Sequence, residues 1–133
     1  MILIVCVDDA GGLGFNRRRQ SQDRALRVRM LGKWGRLWMN AYSAGQFAKE
    51  DPVTADEDFL EKSGPGDACF AEGPAAAEAL DRAEKLVLYR WNRKYPADCH
   101  FPLDLEARGW RLEETAEFAG SSHEKITEEV YVR

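Results

Sequence analysis

Ile2-Leu3-Ile4-Val5-Cys6-Val7-Asp8-Asp9-Ala10-Gly11-Gly12-Leu13-Gly14-Phe15-Asn16-Arg17-Arg18-Arg19-Gln20-Ser21-Gln22-Asp23 is the stretch on which the rest of the chain turns. Its first six residues are all apolar, the pattern of a central strand buried on both faces. The glycines then give the backbone freedom to leave that strand. Three consecutive arginines concentrate positive charge, and Ser21 is placed to cap a helix. Asp23 falls in the first turn of that helix, where the dipole favours a carboxylate. A strand, a glycine loop and a helix start bearing one acid make a ligand-site pattern that does not name its ligand.

Composition narrows the classes. A length of 133 residues suits one domain, 1–133, with one hydrophobic core. With 44% hydrophobic and 11% aromatic residues, the chain has globular rather than disordered composition. Cys6, Cys69 and Cys99 are scattered and odd in number, as expected of reduced thiols in the cytoplasm. His100 and His123 form no metal-binding spacing, which argues against a zinc hydrolase. The N-terminal apolar run is too short to span a bilayer and lacks the basic flank of a signal peptide. No membrane partner is expected.

The net charge is −4, unevenly spread. Between Ala10 and Arg36 lie Arg17, Arg18, Arg19, Arg24, Arg27, Arg29, Lys33 and Arg36 against Asp23 alone. That segment carries +7 and leaves −11 for the remainder. Such asymmetry fits a face that meets a nucleotide phosphate, a nucleic acid, or the acidic half of its own chain.

Further along, Ser21 to about Leu31 reads as a helix ended by Gly32 and Gly35, and Arg36 to Ala41 as a second strand. Ser43 is expected to cap a short helix over Ala44 to Lys49. Thr54 and Glu57 form a capping box, which predicts a helix from Ala55 to Lys62. Ala68 to Ala71 is a brief strand, and Gly73-Pro74 opens a helix through about Ala83. Lys85 to Trp91 reads as a strand by its β-branched and aromatic content. Leu105 to Arg108 makes one turn stopped by Gly109. Alternation around Trp110 to Phe118 and Ile126 to Val132 predicts two antiparallel strands, with Glu114 and Glu128 interrupting their apolar faces. The expected fold is therefore α/β, a central mixed sheet flanked by helices with a C-terminal antiparallel hairpin.

In this order the pieces resemble a shortened, divergent dihydrofolate reductase. The first strand and the loop with Gly14-Phe15 are similar to the family's strand and mobile loop. Asp23, in Gln22-Asp23-Arg24-Ala25-Leu26, falls where the family keeps its single catalytic acid. Leu37-Trp38-Met39-Asn40-Ala41-Tyr42-Ser43 is similar to the strand and turn that hold cofactor phosphates. Ala71-Glu72-Gly73-Pro74 stands where the family has a Gly-Gly peptide, and Ala97-Asp98-Cys99-His100-Phe101-Pro102 resembles its aromatic/His-Phe-Pro signature. The chain departs from the pattern at Arg17-Arg18-Arg19-Gln20, where the family carries Pro-Trp. It also lacks the basic residue of the phosphate turn, the first glycine of Gly-Gly, the folate-gripping arginine and, between Ser43 and Ala68, a strand.

The resemblance implies a dihydrofolate reductase-like α/β fold and an NADPH-dependent reductase acting on a pterin- or nucleotide-like ligand, hydride transfer being assisted by Asp23. It implies cofactor contacts at Gly14, Asn40, Tyr42, Ser43, Glu72 and Gly73. Arg17, Arg18, Arg19 and Arg27 are candidate anion-binding residues. Tyr89 or a neighbour replaces the threonine that the family sets against its acid, which makes Tyr89 a candidate substrate-binding residue. Two alternatives stay open: a non-catalytic nucleotide- or phosphometabolite-binding protein of the same fold, and a small RNA-associated protein using the face from Arg17 to Arg36. Asp23 could equally be an acid of the first helical turn that acts only through the dipole or neutralises Arg24 or Arg27. A missing sheet strand would leave an edge that self-association could cover.

Overall fold

The computed structural model describes residues 1–133. Its centre is β1 (Ile2–Val7), the run that is apolar at every position. β1 lies parallel between β6 (Ala68–Phe70) and β7 (Lys85–Arg90). On one side β6 is followed by β4 (Leu37–Met39) and β5 (Val53–Ala55), both parallel. On the other, β10 (Ile126–Val132) runs antiparallel to β7 and to β9 (Arg111–Phe118). The result is a seven-stranded mixed sheet ordered β5-β4-β6-β1-β7-β10-β9, closed by a C-terminal antiparallel hairpin.

Side-chain alternation along the buried strands sends apolar groups to both faces. Leu3, Val5 and Val7 pack with Leu86, Leu88, Ala76, Leu80 and Trp110 on one face, beneath α4 (Pro74–Ala79). Ile4, Phe70, Val87 and Val130 meet Leu26 and Met30 of α1 (Arg24–Trp34) on the other. Leu26 and Met30 are one helical turn apart, so α1 needs only this narrow apolar stripe to dock. Gly35, whose φ of 73° suits a residue without a Cβ, ends α1 by donating its N–H to the Leu31 carbonyl.

Several local expectations are corrected. α1 begins one residue after Asp23, which is the cap itself: its carboxylate accepts from the Leu26 N–H at 3.1 Å, and Ser21 turns elsewhere. Gly32 lies inside the helix. The short helix after β4, α2 (Ala41–Ala44), is capped by Asn40, not Ser43, because the Asn40 Oδ1 accepts from the Ser43 N–H at 2.9 Å. The Thr54–Glu57 capping box does not form. Val53 to Ala55 is claimed by pairing with Leu37 to Met39, Glu57 accepts from the Ala41 N–H, and only α3 (Phe59–Lys62) is helical. The strand that looked absent between Ser43 and Ala68 is β5. Glu128 does not interrupt the apolar face of β10 but sits within it, 1% exposed.

A second sheet leaves the main one at the C-terminal end of β1. β2 (Gly12–Phe15) pairs antiparallel with β3 (Arg18–Arg19) and with β8 (Cys99–His100). Asp8, buried at the exit from β1, holds this departure in place by accepting from the N–H groups of Ala10, Gly12 and Tyr95 and from Gln20 Nε2. Gly14 is required at its position, since a Cβ there would stand 2.7 Å from the Arg18 carbonyl oxygen across the hairpin. No helix is long and apolar enough to cross a membrane.

Candidate functional site

The β2–β3 hairpin projects its arginines over the ends of β4 and β6. Between them lies a cleft of about 310 Å³, with Gly14, Arg17, Arg18 and Arg19 on one wall, Asn40, Tyr42, Glu72 and Gly73 on the other, and Asp98 and Cys99 beside them. The cleft sits outside the carboxyl ends of parallel strands, the usual place for a ligand in such sheets. Residues separated by more than eighty positions in sequence are thus brought to one opening. A broader, shallow depression of about 700 Å³ runs past Asn92, Arg93, Phe118 and Lys125, but it gathers none of the candidate residues.

Glu72 organises the back wall. Its carboxylate accepts from Arg19 Nε at 3.0 Å and Nη2 at 3.2 Å, from Ser43 Oγ at 2.8 Å and from Gln46 Nε2 at 3.3 Å. Arg19 in turn stacks its guanidinium 4.2 Å from the Tyr42 ring, donates to the Tyr42 carbonyl, and its N–H bonds the Tyr42 hydroxyl. Ser43 is buried behind this pair rather than lining the opening. The hairpin tip is strained: Asn16 and Arg17 have φ of 52° and 62°, a conformation that Asn tolerates and Arg seldom adopts. Asp98 steadies the tip by accepting from the Asn16 N–H at 2.9 Å. Arg17 and Arg18 are exposed and make no ion pair.

Behind the Arg19–Glu72 pair is a second, inner cavity of about 10 Å³, lined by Cys6, Leu13, Arg19, Gln20, Ser21, Glu72 and Trp91. Such a volume holds about one water-sized group. Gln20 donates through Nε2 to Asp8 and to the Pro96 carbonyl, and its buried Oε1 has no donor. Burial, reinforced by the charges of Glu72 and Asp23, pushes the Cys6 thiol well up, so it stays protonated.

Asp23 faces inward but not into the cleft. It is 2% exposed and lines neither cavity. Four donors converge on its carboxylate: the N–H groups of Leu26, Ser121 (2.9 Å) and Ser122 (2.8 Å), and His123 Nδ1 (2.9 Å). Burial alone would raise its pKa; these four bonds outweigh burial and hold the carboxyl well below the usual range. Gly120 also leaves no slack, since a Cβ there would stand 2.6 Å from Asp23 Oδ2.

Tyr89 and Arg27 also lie away from the cleft. Tyr89 is wholly buried; its hydroxyl donates to Glu128 at 2.7 Å and accepts from Trp34 Nε1 at 3.1 Å. Arg27 bonds Gln22 on the half-exposed side of α1. Three of the eight basic residues of the segment are paired within the chain: Arg19 with Glu72, Arg29 and Lys33 with Glu128. Only Arg17, Arg18, Arg24, Arg27 and Arg36 lack an acidic partner within that segment.

Sequence reasoning missed two buried polar centres. His123 carries Asp23 on one nitrogen and hydroxyls on the other, and stacks on Trp91 with ring centroids 4.4 Å apart. Glu128 closes α1 onto β10. Opposite signs of charge were visible in both halves of the chain, but no local pattern pairs residues about a hundred positions apart. No group of three or more His, Cys, Asp or Glu side chains is placed to hold a metal ion. A comparison of the chain with protein-family models found no match, and neither did a search of curated proteins.

Proposed function

We propose that this chain is a dihydrofolate reductase-like α/β protein without reductase activity that binds a phosphorylated, nucleotide-like small molecule in the cleft under the Arg17–Arg19 hairpin. One observation carries the reading. Gly14, Asn40, Tyr42, Glu72 and Gly73, five of the six residues that the resemblance marks for a cofactor, line a single opening together with Arg17 and Arg18, while Ser43 lies buried behind it. The mixed sheet with its C-terminal antiparallel hairpin is consistent with the same resemblance.

The chemistry favours an anion. Arg17 and Arg18 offer planar, multiply donating guanidinium groups without an acidic partner. The Tyr42 face and the Gly73 backbone supply a flat wall against which a base or sugar can lie. A volume of about 310 Å³ is at the lower end of ligand pockets, roughly 300–1,000 Å³, and suits a compact ligand better than an extended dinucleotide.

The reductase reading is weaker than the binding reading because Asp23 has spent every acceptor on the protein and faces no opening. The RNA reading loses support because three of the eight basic groups are taken up by Glu72 and Glu128. Calorimetric titration of the full chain with AMP, ADP and NADPH tests the proposal. Saturable, salt-weakened binding of a mononucleotide is expected, falling at least tenfold in Arg17→Ala/Arg18→Ala, with no NADPH oxidation in the presence of dihydrofolate. Absence of saturable binding up to millimolar concentrations of all three overturns it.

A further inference from the structure

Ser21 stands where the loop from β3 meets α1, its Oγ 3.1 Å from His123 Nε2. On the opposite side of the same ring, Nδ1 lies 2.9 Å from Asp23 Oδ2. A hydroxyl, an imidazole and a buried carboxylate therefore lie in series, each within hydrogen-bond reach of the next. This is the relation that turns a serine into a nucleophile, whatever fold carries it. We propose that Ser21, His123 and Asp23 form an acyl-transfer site that cleaves small carboxylic esters, reached from the inner cavity behind Arg19 and Glu72.

Each part has the property that its role needs. Asp23 is ionised and held from three further directions by the N–H groups of Leu26, Ser121 and Ser122, so it can fix the Nδ1–H tautomer without moving. Trp91 holds the imidazole plane by stacking. Nε2 is then left with its lone pair towards Ser21 and Tyr95, whose hydroxyl is 2.9 Å away. The two hydroxyls compete for one acceptor, and Tyr95 moderates the base. Ser21 is half-buried and lines the inner cavity, where Cys6 is held protonated and offers no rival nucleophile. The N–H groups of Ser21 and Gln22 bond no protein acceptor, which leaves two donors next to the nucleophile for an oxyanion.

The step balances with ester and water alone. As the Ser21 Oγ–carbonyl bond forms, His123 Nε2 takes the hydroxyl proton; the C–O bond to the alcohol breaks, and the alkoxide leaves with that proton. Water then attacks the acyl-serine, gives a proton to Nε2, and Oγ recovers it as the acid departs. Asp23 stays ionised throughout and is a positioning residue. The inner cavity, about 10 Å³, has room for one water and not for an ester; Arg19 and Glu72 line both it and the cleft, so an ester reaches Ser21 only when that ion pair parts.

The test uses the full chain with a fluorophosphonate probe and with p-nitrophenyl acetate, read by intact mass and peptide mapping. A single adduct on Ser21 is expected, absent in Ser21→Ala. His123→Asn, which keeps a donor for Asp23 but removes the base, is expected to slow adduct formation at least a hundredfold with an unchanged circular dichroism spectrum. Tyr95→Phe is expected to label as fast as the parent or faster. No adduct on Ser21, or a rate unaffected by His123→Asn, overturns the proposal. The cleft is tested by nucleotide titration and Ser21 by the mass of its adduct, so the two readings fail separately.

Discussion

Arg19 and Glu72, 53 residues apart in sequence, form a two-pronged ion pair across the back of the cleft, Nε to Oε2 at 3.0 Å and Nη2 to Oε1 at 3.2 Å. The pair places a carboxylate where an anionic ligand is expected to approach, and it occupies the arginine best placed to receive that ligand.

Glu72→Gln should therefore tighten binding of a phosphorylated nucleotide about tenfold, close to 1.4 kcal/mol. It removes a like charge and frees Arg19. The fold should lose about 1–3 kcal/mol, because Arg19, Ser43 and Gln46 all lose a charged acceptor at a pair only 19% and 13% exposed. Titration calorimetry and urea melts on the same preparation measure both, and unchanged or weaker affinity would count against an anionic ligand.

Asp23→Asn should destabilise the fold by about 2–4 kcal/mol, since it weakens the cap of α1 and turns an acceptor into a donor facing Ser122 or His123. The sign with pH follows from the depressed carboxyl. The ionised form contributes stability above about pH 4, and that contribution is lost as the pH falls below this value. Chemical denaturation at pH 7 and pH 3 should show the variant losing less on acidification than the parent.

Glu128 gives a second acid-sensitive contact. Burial raises its pKa, but Arg29 at 2.9 Å, Lys33 at 2.7 Å and the Tyr89 hydroxyl outweigh burial and bring it down from 4.5 to about 2. Its contribution is complete above pH 4.5 and disappears as the pH drops towards 2. Glu128→Gln should cost about 3 kcal/mol at pH 7, because two cations lose a buried partner. Its denaturation midpoint should vary less than the parent's between pH 4.5 and 2.

The hairpin tip should show stability and binding moving in opposite directions. Arg17→Gly relieves the left-handed backbone and is expected to stabilise by about 1 kcal/mol, while nucleotide affinity falls about fivefold. Gly14→Ala should do the reverse of a relief: the Cβ meets the Arg18 carbonyl and forces the hairpin open, at a cost above about 1 kcal/mol. Thermal unfolding and calorimetry on the two variants check both statements.

The central strands and α1 were legible because their signals are local. An uninterrupted apolar run gave β1, β-branched and aromatic content gave β7, and alternation gave β9 and β10. β5 was not legible, since Val53 to Ala55 carries a capping-box pattern that pairing with β4 overrides. The three-stranded side sheet was missed because strands of two to four residues are too short to display a period. At the site, Gly14, Asn40, Tyr42, Glu72 and Gly73 line one cleft, while Ser43 lies buried behind it and Asp23 outside it. The environment of Asp23 was hidden, as its partners Ser121, Ser122 and His123 lie about a hundred residues away in a turn with no helical or strand pattern.

The insertion of β10 between β7 and β9 has a consequence for biosynthesis. While a ribosome has released only the first hundred or so residues, the β7 edge has no cover and Arg29, Lys33 and the Asp23 cap lack their distant partners. Closure of the sheet over α1 must then wait for one late segment, Ser121 to Val132, which delivers a histidine, a glutamate and a strand together. Slow translation through that segment should lengthen the interval in which a nascent chain needs chaperone protection.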